Sequence, residues 1–187
     1  LMTKDNGKEY PRYTQPSGYS FSLYEEGDEN SWAELHFLLE QFKSVDEARQ
    51  YFEKEYLEFP NEVGKKCVFV KDEVGNIIAT TSVWRGQHFG KVLQRVHWVA
   101  VHPLHQGNGI AKALMTKVLD IYNDIEHGDF IYLTSQTWSY KAINIYLEFG
   151  FKPYIGQKPA NWGGSSQQFD KDKIQGWEII MDKIDGF

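Results

Sequence analysis

Apolar and polar positions alternate or cycle along this chain in a way that sets out its elements. Tyr19 to Tyr24 alternates, reading as a first strand closed by Glu25-Glu26-Gly27-Asp28. Ser31-x-x-Glu34 has the spacing of a capping box ahead of a helix whose apolar face is Trp32, Leu35, Leu38, Leu39 and Phe42, and a second helix is predicted over about 45–57. Residues 66–71 and 77–84 are β-rich runs around Asp72-Glu73-Val74-Gly75-Asn76, an antiparallel hairpin. Val92 to Val101 is a further strand, stopped at His102-Pro103 because proline cannot donate to a ladder. Beyond it Ile110, Leu114, Val118, Ile121 and Tyr122 recur three or four apart, the period of a helix. A strand at 130–134, a helix at about 139–149, a short strand near 151–154 and a last strand at about 176–182 complete the pattern. Strands in succession followed by alternating strands and helices give an α/β (α+β) class with a mixed sheet and helices on both faces.

Composition narrows this reading. A chain of 187 residues with 41% hydrophobic content can bury one good core, and no linker divides it, so one domain is expected over 19–187. Residues 1–18 are polar with Pro11 and Pro16 and read as a loose arm or an extra edge, and Leu1 ahead of Met2 reads as a remnant of processing. The net charge of −6 and pI near 5.5 disfavour a nucleic-acid partner. The N-terminal residues show no leader pattern and nowhere are 18 apolar residues consecutive, so no membrane association and a cytoplasmic location are expected. Cys67, the single cysteine, sits in a Cys-Val-Phe-Val run and reads as a small buried hydrophobe. No His, Cys or Asp cluster has metal spacing, so no metal is expected.

The chemistry concentrates between the strand at 92–101 and the helix that follows. Gln106-Gly107-Asn108-Gly109-Ile110-Ala111 leads into a helix whose first turn offers unpaired N–H groups and the positive end of the dipole, and glycine lets an anion's oxygens approach the backbone. A tight turn alone would explain two glycines. The spacing is not the dinucleotide fingerprint, since Lys112 occupies its third glycine position, and no Gly-Lys-Ser/Thr follows, so the NTPase loop is absent as well.

Two blocks in order carry a resemblance. Gln106, Gly109 and Ala111 match a Gln-x-x-Gly-x-Ala loop, and Ala142, Tyr146 and Gly150-Phe151 match a second block downstream, with Ser139 where Asn is usual. The chain thereby resembles the GNAT superfamily of acyl-CoA-dependent N-acetyltransferases, over about 19–155 and the final strand. The resemblance implies a largely antiparallel central sheet of about seven strands and acetyl-CoA as cosubstrate. It implies that 106–111 hold the pyrophosphate, that the backbones of Val99 and Val101 and the side chain of Ser139 face pantetheine, and that Tyr146 protonates the departing sulfur. A buried packing tyrosine is equally compatible with Tyr146 by sequence alone. His97, of the same strand parity as Val99 and Val101 and with a free pKa of about 6.5, is the best candidate base, with a structural strand residue as the other reading. Trp84, Trp98 and Trp138 would line an aromatic acceptor pocket or pack in the core. Glu25, with Glu26 and Asp28, would meet a cationic acceptor or remain a solvated loop charge. Residues 156–175, rich in Gly, Ser and Gln and carrying Trp162, form a long loop read as a flap or a surface loop. The implied activity is acetyl transfer to a primary amine of a small molecule or peptide. A catalytically idle acyl-CoA-binding or interaction module on the same fold is the alternative, and a homodimer is left open.

Overall fold

The computed structural model describes residues 1–125 and 128–186. In chain order the elements are β1 (Met2–Asp5), β2 (Ser20–Leu23), α1 (Asp28–Leu38), α2 (Val45–Phe52), which continues into a π-helical turn at Glu53–Leu57, α3 (Pro60–Lys66), β3 (Cys67–Lys71), β4 (Ile77–Gly86), β5 (Leu93–Val101), α4 (Ile110–Asp124), β6 (Phe130–Leu133), α5 (Tyr140–Glu148), β7 (Lys152–Pro153) and α6 (Ser166–Asp185). The seven strands are ordered β2-β3-β4-β5-β6-β1-β7. β2–β3, β3–β4, β1–β6 and β1–β7 pair antiparallel, and β5–β6 pair in parallel at Arg95 opposite Tyr132. The expected mixed, largely antiparallel sheet of about seven strands is present. Among the described residues no helix is long and apolar enough to cross a membrane.

The contacts divide the chain into two compact units. The larger comprises 12–84 and 96–125. Its sheet is buried on both faces, as strict alternation in β3 requires. Cys67 and Phe69 join Trp32, Ala48, Phe52, Tyr56 and Trp84 under α1 and α2, whereas Val68 and Val70 join Ile78, Ala79, Ile110 and Leu114 under α4. Ser44 caps α2 by accepting the Glu47 N–H at 3.1 Å, while Glu47 reaches back to the Lys43 N–H at 2.8 Å. The hairpin turn is held by Asp72, whose Oδ1 accepts the N–H groups of Val74 and Asn76 at 3.1 and 2.8 Å.

The smaller unit comprises 1–11, 85–95 and 126–187. Met2–Asp5 lies between β6 and β7, paired on both sides, so the first residues expected as an arm or outer edge contribute an interior strand. Phe89 anchors this unit's aromatic packing, its ring centroid 5.1 to 5.2 Å from those of Phe130, Tyr132 and Tyr154.

Two further expectations are corrected. The strand expected at 176–182 is part of α6. Its inward positions, Phe169, Lys173, Gly176, Trp177, Ile180 and Ile184, follow the helical period, and Ser165 caps the helix by accepting the Gln168 N–H. The run Trp177-Glu178-Ile179-Ile180-Met181 imitates a strand because Ile179 and Met181 are apolar yet exposed. The capping box at Ser31 and Glu34 does not form, because α1 starts one turn earlier. Gly27 stands before it with φ of 105°, and the first-turn acids are Asp28 and Glu29. Asp28 accepts the Glu25 N–H at 2.9 Å and Glu29 accepts the Gly27 N–H at 2.9 Å, so the first-turn acids tie down the chain ahead of a helix that has no side-chain cap.

Candidate functional site

In the larger unit, β5 ends at Val101, and a 3₁₀ turn at Pro103–His105 reverses the chain into the glycine loop. Gly107 and Gly109 have φ of 82° and 81°, the left-handed region where a Cβ is strained, so both positions need glycine for conformation. The loop is tied down by its polar side chains: Gln106 Nε2 donates to the Val101 carbonyl at 3.1 Å and Asn108 Nδ2 to the His105 carbonyl at 3.2 Å. Above it lies open space. A Cβ on Gly107 would meet nothing within 4 Å, and on Gly109 only Pro16 Cγ at 3.9 Å. Helix α4 starts from Gly109 with no side-chain cap and no acidic residue in its first turn, in contrast to the Ser44 cap of α2 and the Ser165 cap of α6. The first-turn N–H groups, Ile110 and Ala111 among them, therefore keep both their hydrogen-bonding capacity and their dipole for an anion from outside.

Upstream, β5 is bulged. Trp98 has φ of 52°, unusual for a bulky residue, and breaks the alternation of the strand. Val101 packs with Val68, Val70, Ile110 and Leu114 on the α4 face, whereas Trp98 packs with Trp32 and Phe42 on the α1–α2 face. His97 faces that same side, with Tyr51 and Tyr56. The parity argument that grouped His97 with Val101 is thus overturned, since one bulged residue exchanges faces for everything before it. Strand β4 supplies the compensation. Thr81 and Ser82, both buried, aim their hydroxyls at the His97 carbonyl at 3.5 and 3.2 Å, and Ser82 Oγ lies 2.9 Å from the Tyr56 hydroxyl. A left-handed non-glycine residue costs about 1–3 kcal/mol, and net hydrogen bonds of about 1 kcal/mol each with aromatic packing hold it in place.

The His97 ring sits in a polar pocket within this aromatic layer. Its Nε2 is 3.2 Å from the Tyr51 hydroxyl and 3.7 Å from Glu55 Oε1. Trp98 stacks edge-on against Trp32 and Tyr51, and its indole N–H is buried without an acceptor among the described residues. Tyr51 and Glu55 are the neighbours of His97 that motif reading missed. Their four-residue spacing on the second predicted helix was the available signal, because it puts a hydroxyl and a carboxylate on one face. Trp84 takes the core fate: it is fully buried, and its Nε1 donates to the Glu55 carbonyl at 3.1 Å. Glu25 is exposed and engages the start of α1 through its backbone. Val99 is half-buried in β5 beyond the bulge. Buried His36 lies on the same aromatic layer, its centroid 3.9 Å from that of Trp32 and 5.1 Å from that of Trp98, and burial lowers its pKa to about 4.

The smaller unit carries the second block. Thr137–Ser139 forms a 3₁₀ turn that runs into α5, so Trp138 and Ser139 precede the helix that bears Tyr146. Trp138 is 72% exposed, with most of its ring available to a partner. Tyr146 is buried, and burial raises its hydroxyl above the usual phenol range, which keeps it a proton donor at neutral pH. Among the described residues nothing hydrogen-bonds that hydroxyl. Trp162 packs against His88 and Phe169 at 5.4 and 5.7 Å, and His88 Nδ1 lies 2.9 Å from the Tyr132 hydroxyl. Helix α6 takes up the second half of the stretch expected as a loop over 156–175.

Comparison with known proteins agrees with this architecture. A GCN5-related N-acetyltransferase from Sphaerobacter thermophilus superposes with a TM-score of 0.59 at 16% identity, covering 81% of this chain and 46% of that longer protein. Spermidine N-acetyltransferase from Vibrio cholerae, in complex with CoA and spermine, gives 0.51 at 22% identity over 75% of this chain and 84% of its own. Diaminobutyrate acetyltransferase EctA from Paenibacillus lautus, in complex with its substrate and coenzyme A, gives 0.51 at 20% identity over 69% of this chain and 72% of its own. At such identities the likeness is one of fold. A search of curated proteins found no match. The sequence pattern of the acetyltransferase (GNAT) family matches residues 30–151, a span that contains the bulged strand, the uncapped glycine loop with its helix, and Tyr146. A match over well more than half of its length makes this chain a member of the GNAT acetyltransferase family.

Proposed function

We propose that the protein moves an acetyl group from acetyl-CoA to a primary amine of a small molecule or peptide, by direct attack of the amine on the thioester. The observation that carries this is the loop 106–111. Its two left-handed glycines, the open space above them and the uncapped start of α4 support the reading of a pyrophosphate site. An alkylamine is protonated near neutrality, with a solution pKa near ~10, so the reaction needs a base for the amine and an acid for the thiolate. His97 is the proposed base and Tyr146, buried and kept protonated by that burial, the proposed acid. In this reading Val99, Val101 and Ser139 face pantetheine, Trp98 and Trp138 contact the acceptor, and Glu25 contributes charge on the approach of a cation.

The test is release of free CoA, detected by a thiol reagent, from acetyl-CoA with a panel of amines: spermidine, L-2,4-diaminobutyric acid, glucosamine and a lysine-containing peptide. Turnover that depends on the amine is expected. Tight CoA binding with no turnover on any amine would leave an idle binding module instead.

A further inference from the structure

We propose that Glu55 is a positioning residue for His97, holding the imidazole in place and stabilising the charge it acquires when it takes the acceptor's proton. This rests on the reading of His97 as the base. Three observations carry it. The helix bearing Glu55 is not regular: α2 gives way at Phe52 to a π-helical turn over Glu53–Leu57, a distortion that re-aims side chains and is kept where they are needed. The distorted turn is pinned from below, because the Glu55 carbonyl accepts the Trp84 indole N–H at 3.1 Å. The carboxylate so placed lies 3.7 Å from His97 Nε2, with only 27% of its side chain exposed and 12% of that of His97, so water screens the pair weakly.

The groups facing the ring assign the roles. Tyr51, from α2, has its hydroxyl 3.2 Å from the same Nε2. Tyr56, from the π turn, has its ring centroid 6.3 Å away, and its hydroxyl is engaged with Ser82 and kept neutral by burial. Glu55 contributes the negative charge. The proton leaves the amine nitrogen for imidazole Nδ1, and the nitrogen lone pair so freed forms the N–C bond at the thioester carbonyl. The C–S bond breaks and the CoA thiolate leaves with a proton from the proposed acid Tyr146, while the imidazolium's Nε2–H is directed at the Tyr51 oxygen beside the carboxylate. Removing that carboxylate makes the ring a weaker base without removing the ring.

The experiment is an NMR titration of His97 in protein labelled on histidine, assigned by the signal that His97→Gln loses, in wild type, Glu55→Gln and Glu55→Asp. It is run beside a pH–rate profile of the same proteins with acetyl-CoA and the best amine of the panel above. Glu55→Gln should lower the His97 pKa by about one pH unit or more, carry the acid limb of kcat/KM down by the same amount and reduce its plateau, while Glu55→Asp restores most of both. Glu55→Ala carries the same arms if Glu55→Gln does not fold. A His97 titration that does not move overturns the proposal. A titration that moves while the limb stays overturns it differently, because His97 is then not the base and the pair has no part in turnover.

Discussion

The buried histidine of α1 makes the most quantitative prediction. His36 is fully enclosed between Trp32, Phe42 and Trp98, with Nδ1 on Gln41 Oε1 and Nε2 buried without a partner. Burial holds its pKa down to about 4, against 6.5 when unfolded. The neutral ring is the folded form, so above pH 6.5 the two states bind the same protons and the group has no pH effect. As pH falls below 6.5 the unfolded chain takes up a proton that the folded chain refuses, and stability is lost until about pH 4. From pH 7.5 to 4.5 the loss amounts to about 2.5 kcal/mol, with a slope approaching 1.4 kcal/mol per pH unit. The assay is denaturant unfolding followed by tryptophan fluorescence at four pH values, in wild type and His36→Leu. Because His88 is also shifted down by burial and by Arg95, and acids such as Asp72 contribute at lower pH, the difference between the two proteins is the quantity to read. Wild type should lose about 2.5 kcal/mol more than the variant over this range. Parallel pH profiles for the two proteins would show that His36 is protonated in the fold, and the reasoning would fail.

Gly109→Val should reduce CoA affinity at least tenfold by calorimetry while the protein still folds, at a stability cost of about 1–2 kcal/mol from the left-handed backbone; unchanged affinity would remove the loop from the coenzyme site. Tyr146→Phe should lower kcat by about 10²–10⁴ with little change in CoA affinity, since only the donor is deleted; full turnover with chemistry rate-limiting would make Tyr146 a packing residue. Cys67, buried with its thiol pushed up to about 12, should resist alkylation at pH 8 in the native protein and react at once in denaturant; rapid labelling of the native state would contradict its placement in the core.

Much of this was legible in the sequence because it rests on local rules. The glycine loop, the α4 periodicity and the β3–β4 hairpin all follow from spacing and turn chemistry. What escaped was decided at a distance. Met2–Asp5 has no strand signal of its own and becomes one by filling the slot between β6 and β7. The last helix was hidden by exposed Ile174, Ile179 and Met181, which blur the polar face that normally announces a helix. Among the candidate residues, Tyr146 and the loop came from motif spacing, whereas the His97–Tyr51–Glu55 arrangement depends on a bulge and a π turn. Both are single-residue irregularities that no periodicity can announce.

The bulge at Trp98 also bears on how this strand tolerates change in length. Deleting one residue there would restore strict alternation, so the imidazole would rotate away from Tyr51 and Glu55 while Val101 kept its seat over α4. An insertion or deletion at this point therefore acts as a switch of which chemistry the strand presents, and a point substitution cannot imitate it. A designer wishing to graft a different base onto the α1–α2 face has two handles: the residue at 97, and the hydroxyl pair of Thr81 and Ser82 that lets the backbone take its turn.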